Sequence, residues 1–174
     1  MTEDVTGKLE SKLVDYLEDA HALEDSIVTN LDSMIGTVSE AKLKALLQRQ
    51  RQVSRQHVER LKQRLEQLDR GVPVRKRLEG MAFALMKGVG DVLRTDAPGK
   101  VGRDAYLLAH TQIASYELLG RHADAAGDSV TAEIARTHLT DARTCADDIA
   151  SHWDDFFGLT LAQWIETRTA QPVT

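Results

Sequence analysis

The sequence predicts an all-α protein, a helical bundle closed by one long crossover, on three observations. Its prolines, Pro73, Pro98 and Pro172, leave two long stretches, residues 1–72 and 99–171, free of proline, the residue that interrupts helices. Leu, Ala, Glu, Gln, Arg and Lys abound while aromatic residues make up only 5%, a composition of helix formers. Apolar residues recur in steps of three and four, and no stretch alternates with period two or carries an Asn-Gly hairpin turn.

The first helix is expected over 8–35, with Leu9, Leu13, Leu17, Ala20, Ile27, Leu31 and Ile35 on one stripe. Gly36 is placed to end it and Ser39 to cap a second helix over 39–70, striped by Leu43, Leu46, Leu47, Val53, Leu61, Leu65 and Leu68. A third is expected over 103–126, after Gly99 and Gly102. A fourth follows over 129–157, between Gly127 and Gly158, capped by Asp128 or Ser129 and carrying Ile134, Cys145, Ile149, Trp153 and Phe156. Shorter helices are expected near 78–94 and 159–169. The joints at 36–39 and 127–128 are short, so each flanking pair forms an antiparallel hairpin, whereas the connection over 71–102 is long. Two helical hairpins joined by a long crossover make a ferritin-like four-helix bundle. The expectation is a single domain over 1–174, with the bundle core at about 8–157.

Composition removes several functions. Cys145 is the only cysteine among 174 residues, which leaves no internal disulfide and no thiolate zinc site. No apolar run approaches the roughly 20 residues of a membrane span, and the polar, acidic start MTEDVTGKLESK is not that of a signal peptide. A cytoplasmic protein without a membrane partner is expected. The net charge of -5 is unevenly spread: residues 1–35 and 104–174 each carry net -7, residues 39–70 carry net +5 and residues 71–103 net +4. Acidic helices lying beside basic ones would favour one topology. A phosphate-binding face on Lys44, Arg51, Arg55 and Lys62 is the competing reading, and the acidic remainder of the chain opposes nucleic acid as a partner.

Polar residues interrupt the apolar stripes. Glu24 lies between Ala20 and Ile27, Gln50 and His57 between Leu46 and Leu61, and His138 and Asp141 between Ile134 and Cys145; His110 sits with Gln112 and Tyr116 around Ile113. A buried carboxylate or imidazole costs roughly several kcal/mol unless it is paired or metal-bound. With a hairpin centred near residue 37, Glu24 should lie level with Gln50; with one centred near 128, His138 should face Glu117. Three readings stay open: a metal site, a metal-free pocket in which a His–carboxylate couple moves protons, and a hydrogen-bonded network that only fixes helix register. Trp153, Phe156, Phe157 and Trp164 read as a core or dimer-interface plug, and Cys145 as an inert core thiol.

The runs DYLEDAHALED, LDSMI, HVERLKQRLEQL, MAFALMKGVGDVLR, AHTQIASYELLGR and TAEIARTHLTDA, in this order and spacing over about 8–157, resemble the YciE/YciF-type ferritin-like family, its actinobacterial branch above all. The resemblance implies a ferritin-like bundle, a homodimer or higher homo-oligomer, an association with stress responses and a metal pair. It also implies ligands that this chain lacks. The family's acids on the first helix correspond to Glu24 and Asp19, which persist. A His and a Glu of the second helix correspond to Gln50 and Val53, the Glu-His-x-Glu of the third to Ala109, His110, Thr111 and Gln112, and acids of the fourth to Asp141, Ala142 and Arg143. A pair of hard dications needs about four carboxylates. The expectation is therefore a degraded or absent di-metal site, with no cofactor, or at most one divalent ion on Glu24, His57, His110 and Asp141. The polar core formed by His57, Gln50, Gln112 and Tyr116 would accept a small molecule or serve assembly. The alternative is a metal-independent enzyme using His110 or His138 with Glu24 or Asp141 as acid and base.

Overall fold

Helix formers spaced at three and four, with capping groups at the joints, give five helices. In the computed structural model the described residues are 2–68 and 97–169, and they form α1 (Thr2–Thr37), α2 (Ala41–Gln67), α3 (Ala97–Ala126), α4 (Ser129–Ala150) and α5 (Trp153–Thr169), with no strand among them. No described helix is long and apolar enough to cross a membrane. The helix expected over 78–94 lies outside the described residues.

Local chemistry explains the ends, including four that differ from expectation. Helix α1 runs through Gly36 to Thr37. The N-cap of α2 is Glu40 rather than Ser39, its carboxylate accepting from the backbone N–H of Lys42 at 2.9 Å and of Leu43 at 2.7 Å. Helix α3 begins early because Pro98 occupies its first turn, where no backbone N–H is required of it. Gly127, at φ +73°, ends α3, and Asp128 caps α4 by accepting from the Thr131 N–H at 3.0 Å. The long fourth helix divides at Ser151–His152 and not at Gly158. There the Ser151 hydroxyl donates to the Asp148 carbonyl at 2.7 Å, and the His152 N–H turns back to Ile149 at 3.0 Å, local bonds that compete with the helical ladder.

Cross-helix pairs define the directions. Arg51 and Arg55 both meet Asp32, and His57 meets Glu24, so α1 and α2 are antiparallel. Gln50 reaches the Ala105 carbonyl and Gln112 reaches Ser54, residues advancing together along both chains, so α2 and α3 are parallel. Gly120 faces Ala135 and Tyr116 faces His138, which makes α3 and α4 antiparallel. Parallel second and third bundle helices require a connection that returns along the bundle, the connectivity of ferritin-like folds. Helix α5 folds back along α3: the Thr160 hydroxyl accepts from the Gly99 N–H at 2.8 Å, and Phe156 lies on Gly102.

Acidic helices do lie beside basic ones. Basic residues of α2 pair outward with acids of α1, α4 and α5, in Arg51–Asp32, Arg49–Asp148, Arg64–Asp128 and Lys42–Asp155. Arg51 and Arg55, half of the cationic face considered for phosphates, are thereby engaged by Asp32.

The interior has two apolar clusters. One gathers Leu23, Ile27, Leu31, Leu43, Leu47, Leu108, Ile149 and Phe156; the other gathers Leu13, Leu17, Leu61, Leu65, Leu119 and Ala132. Between them lies a layer of polar side chains.

Candidate functional site

Each of the four bundle helices sends side chains into that layer. Glu24 comes from α1, Ser54 and His57 from α2, Gln112 and Tyr116 from α3, and His138 from α4, and all are buried. Glu24 is wholly enclosed and is the acceptor at the centre. Its Oε1 receives the Tyr116 hydroxyl at 2.5 Å and faces His57 Nδ1 at 2.9 Å. The Gln112 amide nitrogen donates to both carboxylate oxygens, at 2.9 and 2.8 Å, and to the Ser54 hydroxyl at 3.1 Å. Charge-assisted hydrogen bonds of this kind are the compensation a buried carboxylate needs.

His57 continues the chain outward. Its Nε2 lies 3.2 Å from Oδ2 of Asp141, whose side chain is 46% exposed at the edge of α4. A carboxylate oxygen lies within hydrogen-bond distance of each ring nitrogen of His57. Glu24, His57 and Asp141 thus form a line of contacts from the core to the surface. His138 stacks on His57 with centroids 3.8 Å apart and planes 15° from parallel, and Tyr116 meets both rings edge-on. Burial, then the neighbouring charges of His57 and Arg60, pull the His138 pKa down to about 2, so this ring is neutral. Burial first, and then the Glu24 charge and hydrogen bond, push the Tyr116 hydroxyl well above its ordinary range.

Other expected residues fall elsewhere. His110 faces outward on α3, its Nδ1 3.2 Å from the Tyr106 carbonyl of its own helix, and so takes no part in the layer. It lies on the opposite side of Gln112, which is the inward residue of that turn. Gln50 is buried but displaced toward the first apolar cluster, where it donates to the Ala105 carbonyl at 3.3 Å. Glu117, expected opposite His138, is at the surface and pairs with Arg143 and Arg121. Arg143 therefore turns away from the core. Cys145 is buried, and burial together with Asp148, Asp141 and Glu24 pushes its thiol up to about 12. Sequence reasoning missed Ser54, which packs within the polar layer, and His21, buried one turn before Glu24 with neither ring nitrogen hydrogen-bonded. Of the aromatic group near the end of the bundle, Phe156 enters the core, while Trp153, Phe157 and Trp164 are 38%, 67% and 44% exposed.

The layer does not fit a metal pair. Among the described residues only Glu24 and Asp141 contribute carboxylates, and the oxygens of Glu24 face the Gln112 amide, the Tyr116 hydroxyl and His57, protein groups placed where cations would have to sit. Gln112, Gln50, Ala109 and Ala142, four of the positions at which the resemblance calls for a ligand or its neighbour, are at most 3% exposed. These four positions therefore belong to the interior. Among the described residues no group of three or more His, Cys, Asp or Glu side chains is arranged to hold a metal ion. Outside the layer, Arg60, Ser129, Val130, Glu133, Ile134 and Thr137 line an open groove of about 520 Å³ between α2 and α4, and none of them belongs to the layer.

The family described as domain of unknown function DUF892 matches residues 8–161. Among solved structures, a protein of Xanthomonas campestris is similar at 22% identity and a TM-score of 0.73, over 90% of this chain and 97% of that one. The Escherichia coli stress protein YciF is similar at 16% identity and a TM-score of 0.72, over 86% of this chain and 97% of its own. YcfI of Rhodopseudomonas palustris is similar at 20% identity and a TM-score of 0.69, over 82% and 92%. No curated protein matches the sequence.

Proposed function

Because the chain belongs to the DUF892 family and has the family's bundle around a core short of acids, we propose that it acts as a metal-independent structural protein whose polar layer fixes the register of the four helices. One observation carries this reading: Glu24, wholly buried, is satisfied by Tyr116, Gln112 and His57, one or more donors from each of two other helices. An amide and a hydroxyl do for this carboxylate what cations do in a di-metal bundle. They balance its desolvation and tie α1 to α2 and α3 at a single axial position. Such a network rewards one alignment of the helices, since sliding any of them by a turn strands a charge in an apolar cluster.

The stress association of YciF supports a role for a durable scaffold, and a homodimer is the assembly this reading favours. The acid–base alternative loses His110 to the outer face and finds His138 held neutral. The test is elemental analysis of protein purified after growth with added iron, manganese and zinc, with thermal melting in the presence and absence of a chelator. The expected result is metal well below one ion per chain and a melting temperature that the chelator leaves unchanged. Two iron or manganese ions per chain, or a melting temperature lowered by the chelator, would overturn the reading.

A further inference from the structure

The seam between α2 and the outer edge of α4 is laced by charged pairs at a heptad spacing. On the edge that faces α2, acids recur every seven residues, at Asp141, Asp148 and, past the break into α5, Asp155. Each has a basic side chain across the seam: Asp141 meets His57 at 3.2 Å, Asp148 meets Arg49 at 3.8 Å and Asp155 meets Lys42 at 2.7 Å. At the far end Arg64 closes the seam on Asp128 at 2.6 Å. One heptad before Asp141 the same edge carries Ile134 instead of an acid.

The cation left over is Arg60. It stands eleven residues on from Arg49 along α2, and Thr137 stands eleven residues back from Asp148 along the antiparallel α4, so the two are level. Neither Thr137 nor Ile134 can neutralise it, and Arg60, exposed at the surface, has no ion pair or hydrogen bond among the described residues. Glu133, the acid beside it, is held by Arg136 of its own helix at 2.9 Å. Here, where a rung of the seam is missing, the helices part to form the groove of about 520 Å³, a volume that small molecules occupy. From Ser129 to Thr137 the groove runs about 12 Å at the helical rise of 1.5 Å per residue. Its apolar side is formed by Val130, 50% exposed, and by Ile134, half-buried against the second apolar cluster.

The groove offers one unpaired guanidinium beside a strip of aliphatic surface, and Glu133 disfavours a second negative charge on whatever binds there. A guanidinium takes a carboxylate through two parallel N–H donors. A hydrocarbon chain laid over Val130 and Ile134 removes their apolar surface from water. We infer that this groove is a binding site for an amphiphilic monocarboxylate, a medium-chain fatty acid by chemical class, with Arg60 holding the carboxylate and Val130 and Ile134 receiving the chain. The ligand's carboxylate takes the place of the acid that the heptad omits. This goes beyond the metal-free core reading and does not depend on it, because no residue lining the groove belongs to the polar layer.

Titration of the full chain with sodium octanoate, followed by calorimetry and by amide NMR shifts, tests it. One octanoate per chain is expected, with a dissociation constant of about 0.1–1 mM because one side of the ligand stays in solvent. The shifts are expected around Arg60 and residues 129–137. Arg60→Gln is expected to weaken binding about tenfold, the loss of one charge-assisted pair, and Val130→Ser about threefold. Thr137→Asp supplies the missing acid from within the chain and is expected to weaken binding at least about tenfold. Acetate, which has the charge without the chain, and octanamide, which has the chain without the charge, are each expected to bind at least about tenfold more weakly than octanoate. Helical circular dichroism and melting establish that each variant is folded, and only folded variants are compared. No saturable binding of octanoate by about 10 mM overturns the inference, as does an affinity that Arg60→Gln leaves unchanged. Shifts centred on the exposed Trp153 and Phe157 of α5 overturn the placement in the groove, and acetate or inorganic phosphate binding as tightly as octanoate overturns the amphiphilic class.

Discussion

His57 and His138 stack face to face, with ring centroids 3.8 Å apart, yet only His57 is flanked by carboxylates. The two rings share one place in the core and differ in their partners. Burial and the charges of His57 and Arg60 keep His138 neutral, with its pKa pulled down to about 2, while Tyr116 meets its ring edge-on from α3. In the unfolded chain the same ring titrates near 6.5. Below that value the unfolded state binds a proton that the folded state refuses, so this residue's contribution to stability is complete above pH 6.5 and is lost as pH falls. The slope reaches about 1.4 kcal/mol per pH unit. His138→Phe keeps an aromatic ring in the stack and removes the titration. Urea unfolding at pH 7 and pH 5 is expected to show a smaller loss of stability in the variant than in the wild type; equal losses would show that His138 is not the group responsible.

Glu24 receives donors from α2 and α3. Truncating it leaves the Tyr116 hydroxyl, the Gln112 amide and His57 without their acceptor, so Glu24→Ala is expected to cost about 3–5 kcal/mol, the scale of breaking a buried charged network. Tyr116→Phe removes one charge-assisted bond and keeps the ring, at about 1.5–3 kcal/mol. A double-mutant cycle between the two positions checks the network directly. If the layer acts as one unit, the double variant loses clearly less than the two single losses combined; additive losses would mean that the 2.5 Å contact contributes nothing of its own.

The same layer shows what the sequence disclosed and what it concealed. Stripe interruptions pointed to Glu24, His57, His138, Gln112 and Tyr116, all of which are buried. Their partners depended on hairpin centres. For α3 and α4 the centre was marked by Gly127, whose φ of +73° only glycine adopts readily, and Tyr116, next to the expected Glu117, does face His138. For α1 and α2 the glycine misled: α1 passes through Gly36, and the joint falls at Glu40, whose side chain caps α2. The hairpin centre moves by several residues, and Glu24 meets His57, two turns beyond Gln50. His110 was misplaced for a different reason. On α3 it adjoins the apolar Ala109 and precedes Ile113, but Leu108, Ala109, Gln112 and Tyr116 define the inward side and leave His110 behind it.

Asp128 does two things at the α3–α4 joint: it caps α4 through the Thr131 N–H and receives Arg64 of α2 at 2.6 Å. Burial opposes its charge, and the Thr131 and Arg64 hydrogen bonds overcome that opposition, so its carboxyl sits below the usual range. Its stabilising contribution is present above the unfolded pKa near 4 and is lost as pH falls through the lower folded value. Asp128→Ala is expected to cost about 1–2 kcal/mol at neutral pH, and Asp128→Asn, which keeps the cap and weakens the ion pair, less than that. Thermal melting of both variants measures the difference; equal costs would assign the whole effect to the Arg64 pair.

Gly102 marks the closest approach of α5 to the bundle. A Cβ built there would lie 2.8 Å from two atoms of the Phe156 ring, and Phe156 is wholly buried between α3 and the first apolar cluster. Because the ring is packed, it cannot swing aside as an exposed side chain would. Gly102→Ala is therefore expected to destabilise by about 1–3 kcal/mol through overpacking, against the few tenths to one kcal/mol that alanine ordinarily contributes to a helix over glycine. Phe156→Leu opens space at the same point and loses some buried area. In the double variant the alanine is then accommodated, so adding Gly102→Ala to Phe156→Leu is expected to cost little or to stabilise. Chemical denaturation of the four proteins decides it: an alanine penalty of the same size in both backgrounds would place the strain somewhere other than beneath this ring.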